Sequence, residues 1–87
     1  MTVLEIKGLR KKDSPVHYRT EYHAAALIHF SGQQEEIPVM FSIEHTAMGS
    51  IDVAVHIEKQ INYPLLPVIN HLKTHILDMY SNGKLPE

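Results

Sequence analysis

Residues 36–57 read EIPVMFSIEHTAMGSIDVAVHI and contain two runs in which apolar side chains occupy every second position. These apolar positions are Ile37, Val39, Phe41, Ile43, Ile51, Val53, Val55 and Ile57. A period of two places alternate side chains on one face of a sheet. Residues 45–50 separate the runs and include Gly49, a turn former. The stretch therefore predicts a β-hairpin with one apolar face.

The rest of the chain adds two strands and one helix to this hairpin. Val3–Lys7 alternates as a short first strand, and residues 18–30 alternate as a second. From Pro64 the apolar period becomes helical, and Asn82-Gly83 is a stop signal. The sequence thus predicts an α+β fold, a four-stranded antiparallel sheet (β-β-β-β-α) with one C-terminal helix packed on one face.

The predicted core combines one face of each strand with one side of the helix. From the sheet we expect Leu4, Ile6, Ala24, Ala26, Ile28, Val39, Phe41, Ile43, Val53, Val55 and Ile57. From the helix we expect Leu65, Val68, Ile69, Leu72, Ile76, Met79 and Tyr80. Residues 8–15 and 31–35 read as connections. Pro38 conflicts with a central third strand, because proline cannot donate a ladder hydrogen bond.

Composition defines the broad class. With 87 residues, 44% apolar and 21% charged, the chain is expected to form a single globular domain, 1–87. It has no cysteine, which weakens a disulfide scaffold or a zinc ribbon. Neither a signal peptide nor an apolar run of about 20 residues is apparent. We expect a soluble cytoplasmic protein without a membrane segment.

The sheet face opposite the helix is the main candidate for function. One helix covers one face, and the other should present Ala25, Leu27, Met40 and Ala54 as an apolar centre with polar residues around it. Such a patch marks an interface. The leading hypothesis is a non-enzymatic protein-association domain that forms a homodimer or larger homo-oligomer through these four residues. Another partner, a ligand or a plain solvent-exposed face are the alternatives.

A trial register makes this face specific. If Phe30 lies opposite Ile37, and Ile43 opposite Ile51, then Leu27, Met40 and Ala54 lie side by side. In that register His29, Pro38 and His56 form one row, His23 faces Glu44, and Ser42 faces Asp52. Shifting either pairing by two residues keeps the faces and changes these neighbours.

The chain is histidine-rich, which motivates a second hypothesis of metal or small-ligand binding. The seven histidines are His17, His23, His29, His45, His56, His71 and His75. His71 and His75 are four apart on the predicted helix, and Asp78 follows three later, a spacing that can present metal ligands. No glutamate follows His71 as in the His-Glu-x-x-His pattern. We assign no metal ligand and no cofactor from this spacing.

A basic cluster raises a third, weaker hypothesis of nucleic-acid binding. It consists of Lys7, Arg10, Lys11 and Lys12, largely in the predicted first loop, with Arg19 further on. The formal net charge of −2 argues against a dedicated nucleic-acid binder. A solvated turn also explains the cluster.

Catalytic motifs are missing from the sequence. The four glycines are isolated, so neither a phosphate loop nor a dinucleotide fingerprint is present. Ser42 and Asp52 lack the strained elbow and oxyanion loop that a nucleophilic serine requires. We therefore predict no catalytic residue.

Overall fold

The computed structural model describes residues 2–13, 17–61 and 64–85. Its elements are Thr2–Lys12 (β1), Arg19–Phe30 (β2), Gln33–His45 (β3), Ile51–Ile57 (β4) and Leu65–Ser81 (α1). The strands form one antiparallel sheet in the order β1-β2-β3-β4. The predicted fold is confirmed: a four-stranded antiparallel sheet with a C-terminal helix packed against it.

The core lies between α1 and the apolar face of the sheet. Buried side chains from the strands are Ile6, Tyr22, Ala24, Ala26, Ile28, Ile37, Val39, Phe41 and Ile43. The helix contributes Val68, Leu72, Ile76 and Met79, spaced at three and four residues as one face of a helix requires. Each strand thus buries alternate residues, as the sequence pattern predicts.

A two-residue turn joins β2 to β3. Ser31 and Gly32 both have positive φ, 49° and 75°, the combination that a tight type I′ hairpin turn needs. Phe30 therefore pairs directly with Gln33. The predicted connection over residues 31–35 is wrong, because this turn lets β3 begin two residues after Ser31.

The short turn also changes the register that we tried from the sequence. Phe30 pairs four residues earlier than assumed, and Ile51 pairs with His45, a shift of two from Ile43. Both shifts are even, so the apolar face stays the same. The trial neighbours are wrong: Leu27 faces Glu36, and Met40 faces His23 on one side and His56 on the other.

β1 is longer and more irregular than predicted. Its register against β2 shifts once between Val3 and Glu5 and again between Lys7 and Arg10. The first bulge leaves Leu4 43% exposed, so the prediction that Leu4 belongs to the core is wrong. At the second bulge Gly8 has φ 65°, a value that glycine adopts without steric cost. The strand continues through this glycine to Lys12, a segment predicted as part of a loop.

Pro38 lies in a central strand but at the end of one ladder. Its carbonyl accepts a hydrogen bond from the Glu58 N–H at 3.0 Å. Since the N–H and C=O of a strand residue point to the same side, the missing proline donor also points towards β4. β4 ends at Ile57, so the pairing stops where Pro38 has nothing further to donate.

The end of α1 follows the predicted stop signal. Lys84 donates its N–H to the Met79 carbonyl, and Gly83, with φ 67°, donates to the Tyr80 carbonyl. This is a Schellman termination. The helix begins after Pro64; the rest of its predicted entry, Asn62 and Tyr63, lies outside the described residues.

We predict that Leu72→Ala lowers the free energy of unfolding by about 2–5 kcal/mol, because Leu72 is fully buried and its removal leaves a cavity. Leu66→Ala is the matched control, since Leu66 is 71% exposed on the same helix and should change stability by about 0.5 kcal/mol or less. Urea unfolding followed by circular dichroism measures both. Equal losses in the two variants would contradict the helix orientation.

Candidate protein-association surface

The sheet face opposite α1 is open along the described part of the chain, since the one helix there packs on the other face. An apolar band crosses this face, which we call the open-face stripe. It contains Leu27, Ala25, Pro38, Met40 and Ala54. The four residues predicted as an interface thus all lie on the same open face of the sheet.

The register arranges the stripe as a diagonal. Ala25 lies directly opposite Pro38, and Leu27 is two residues from Ala25 on β2. Met40 follows two residues after Pro38, and Ala54 is diagonal to Met40, directly opposite Ser42. Diagonal neighbours are about 7–8 Å apart, within reach of long side chains such as methionine. The stripe is therefore continuous, although its members do not form one cross-strand row as in the trial register.

Ion pairs surround the stripe. Lys7 Nζ lies 3.0 Å from Glu36 Oε2, and Arg19 Nη2 donates to Glu44 Oε1 at 3.1 Å. His23 Nδ1 lies 3.5 Å from Glu58 Oε1. The hydrogen bond and charge of Glu36 raise the pKa of Lys7 above its ordinary value. The apolar band is thus bordered by polar groups, the arrangement of an interface core and its rim.

Charge is unevenly distributed across the open face. On β1 this face carries one acidic residue, Glu5, and three basic residues, Lys7, Arg10 and Lys12, as their pairing with β2 shows. Beyond β2 the formal charge is acidic, from Glu36, Glu44, Asp52 and Glu58. One edge of the face is therefore basic and the opposite edge acidic.

The predicted histidine pairs are separated or incomplete. His29 pairs with Gln34, whereas His56 lies beside Met40, so these two histidines do not meet. His71, His75 and Asp78 line one groove between α1 and β1. No group of three or more histidine or acidic side chains among the described residues has the geometry to hold a metal ion.

The predicted basic loop is a strand edge. Lys7, Arg10 and Lys12 lie on the open face, while Lys11 pairs with Tyr22 and belongs to the opposite side. Arg19 is engaged by Glu44. The cluster is thus divided between two faces and partly neutralised by carboxylates.

Sequence reasoning missed the acidic flanks of the stripe. Glu5 and Glu36 lie on either side of Leu27 in one cross-strand row. Placing Glu5 there requires the bulge at Leu4, and placing Glu36 requires the exact turn length after Phe30. The serine at φ 49° before Gly32 gives no strong sequence signal, although Ser-Gly itself is a common turn pair.

The fold and this surface define a small α+β sheet-and-helix domain with one covered and one open sheet face. The chain belongs to a protein family that is named after a gene locus rather than an activity, and the family model matches residues 1–81. Comparison with curated proteins and comparison with solved structures give no match. Within the described residues, no helix has the length and apolar character needed to cross a membrane.

We predict that Glu36→Gln lowers the pKa of Lys7, because Glu36 supplies both the hydrogen bond and the main charge that raise it. An NMR titration of the lysine side-chain signals measures the change. Glu58→Gln is the control, since Glu58 pairs with His23 and should leave Lys7 unaffected. An unchanged Lys7 titration in the Glu36 variant would contradict the β1–β2–β3 register on this face.

Proposed function

We propose that this protein is a non-enzymatic association domain that forms a homodimer through its open sheet face. The observation that carries the proposal is the continuous open-face stripe, which is bordered by charged residues and left uncovered by α1. Exposed apolar patches with a polar rim are typical of interaction sites.

The unequal charge of the face favours a second copy of the chain as the occupant. A two-fold axis between two facing sheets, parallel to their strands, places β1 of each copy over β4 of the other. The basic edge then meets the acidic edge twice. An axis perpendicular to the strands would instead place the basic edges together, which like-charge repulsion disfavours.

The same axis also brings the apolar residues together. Each cross-strand row keeps its height, so Ala25 lies over Pro38 of the second copy, and Pro38 over Ala25. In that row Lys7 lies over Glu58 of the second copy, since Glu58 bonds to Pro38 at the end of β4. Aligned packing of two sheets is a common solution for apolar sheet faces.

We also propose a cytoplasmic location. The support is compositional: a small domain without cysteine does not depend on an oxidising compartment for its stability.

We predict that the double variant Leu27→Lys, Met40→Glu is a folded monomer. Each new charge suits its own sheet, because Leu27 lies between Glu5 and Glu36 and Met40 lies between His23 and His56. Burying these charges against a second copy is unfavourable, so association should weaken at least about a hundredfold. Sedimentation equilibrium and native mass spectrometry measure the subunit number.

Thr74→Glu is the control for this experiment. Thr74 is exposed on α1, which packs on the other side of the sheet, and its substitution should leave the mass in solution unchanged. If the double variant keeps the mass of the unaltered protein, the open face is not the interface and the proposal fails.

A further inference from the structure

The two edges of the sheet differ in how they are protected. β1 has two bulges and the lysines Lys7, Lys11 and Lys12, features that prevent edge-to-edge pairing. β4 has no lysine and no proline, and its register against β3 is unbroken. In the described part of the chain no strand pairs with its outer side.

The core is also incomplete along β4. On β3 the inward side chains are buried almost completely, with Ile37 and Val39 at 0% exposure. On β4 the corresponding side chains are all only partly buried: Ile51, Val53, Val55 and Ile57. The apolar layer therefore remains open to solvent at this edge.

The helix continues this apolar surface. Its histidine-bearing side lines a groove with Thr2 and Val3 of β1, so the opposite side of α1 faces β4. That opposite side presents large exposed apolar residues, with Leu66 at 71%, Leu77 at 39% and Tyr80 at 38% exposure. Edge strand and helix flank thus form one uncovered apolar border.

We propose that β4 pairs antiparallel with β4 of a second copy about a two-fold axis at Ala54. This inference concerns a surface separate from the open-face contact and does not depend on it. The product is a continuous eight-stranded sheet with both helices on the same face, where their apolar flanks approach each other across the axis.

Backbone directions permit this pairing. Glu58 donates its N–H towards β3, so the even-numbered residues of β4 bond to β3. The odd-numbered residues, including Val53 and Val55, point their N–H and C=O groups outwards. In the proposed register Val53 bonds to Val55 of the second copy, and Ala54 faces Ala54 in a non-hydrogen-bonded pair.

The side chains of β4 are complementary to themselves in this register. Asp52 lies opposite His56 of the second copy, and His56 opposite its Asp52, so two acid–histidine pairs flank the axis. On the inner face Val53 meets Val55, and Ile51 meets Ile57, which extends the apolar core across the junction. All seven residues of β4 pair, which a register displaced by two residues does not achieve.

A single introduced cysteine tests the axis directly, since the chain has no cysteine of its own. Facing residues of a non-hydrogen-bonded pair have Cα atoms about 4.5 Å apart, within disulfide range. Ala54→Cys should therefore form a disulfide dimer under mild oxidation. Asp52→Cys is the matched control, because the two copies of residue 52 are about 13 Å apart along the strands. If Ala54→Cys crosslinks no faster than Asp52→Cys, the proposed pairing is wrong.

A charge exchange provides the second test. His56→Asp places two carboxylates opposite each other at both sites and should weaken the β4 contact about tenfold. Adding Asp52→Lys to that variant restores opposite charges and should recover the contact, an effect that misfolding would not produce. Disulfide formation by Ala54→Cys in each background measures the contact, and failure of the double exchange to recover it would count against the register.

The two proposed contacts can be separated in the same assay. In the open-face dimer Ala54 lies over Lys12 of the second copy, because both residues belong to the row that includes Glu21 and Ser42. Leu27→Lys with Met40→Glu should therefore leave the crosslinking of Ala54→Cys intact. Loss of crosslinking in that background would show that the disulfide depends on the open face and would overturn the β4 pairing.

Discussion

Burial of one sheet face beneath a single helix is the constraint on which the rest of this structure depends. Phe41, Ile37 and Val39 are covered because α1 presents Val68, Leu72, Ile76 and Met79 at helical spacing. Since side chains alternate along a strand, fixing this face also fixes which residues face outwards. The open-face stripe and its charged borders are a direct consequence of that alternation.

The same constraint explains which features could be predicted from the sequence. Residue parity determines the face of Ala25, Leu27, Met40 and Ala54, and any even register shift preserves it. The neighbours of these residues depend instead on turn length, and the positive φ of Ser31 is a local backbone choice with little compositional trace. For this reason the members of the surface were predictable and its diagonal arrangement was not.

Irregularities in the edge strand had a similar effect. The position of Leu4 in a simple alternating pattern indicates a buried residue, yet the bulge there inserts one extra residue and removes it from the core. Gly8 reads as a turn former in sequence, but in the structure it allows β1 to continue. Both bulges protect an edge, a role that becomes visible only when the strand order is known.

The sheet order has a consequence for how the chain reaches its native state. Every strand pairs with its immediate neighbour in sequence, and the Ser31-Gly32 turn joins the longest of these pairings. Such local connectivity reduces the entropy lost in loop closure and is associated with rapid folding. Formation of the β2–β3 hairpin brings Phe41 alongside Tyr22, whose rings stack at 5.0 Å between centroids. This hairpin therefore offers α1, the last of these elements to leave the ribosome, a partly assembled apolar surface on which to fold.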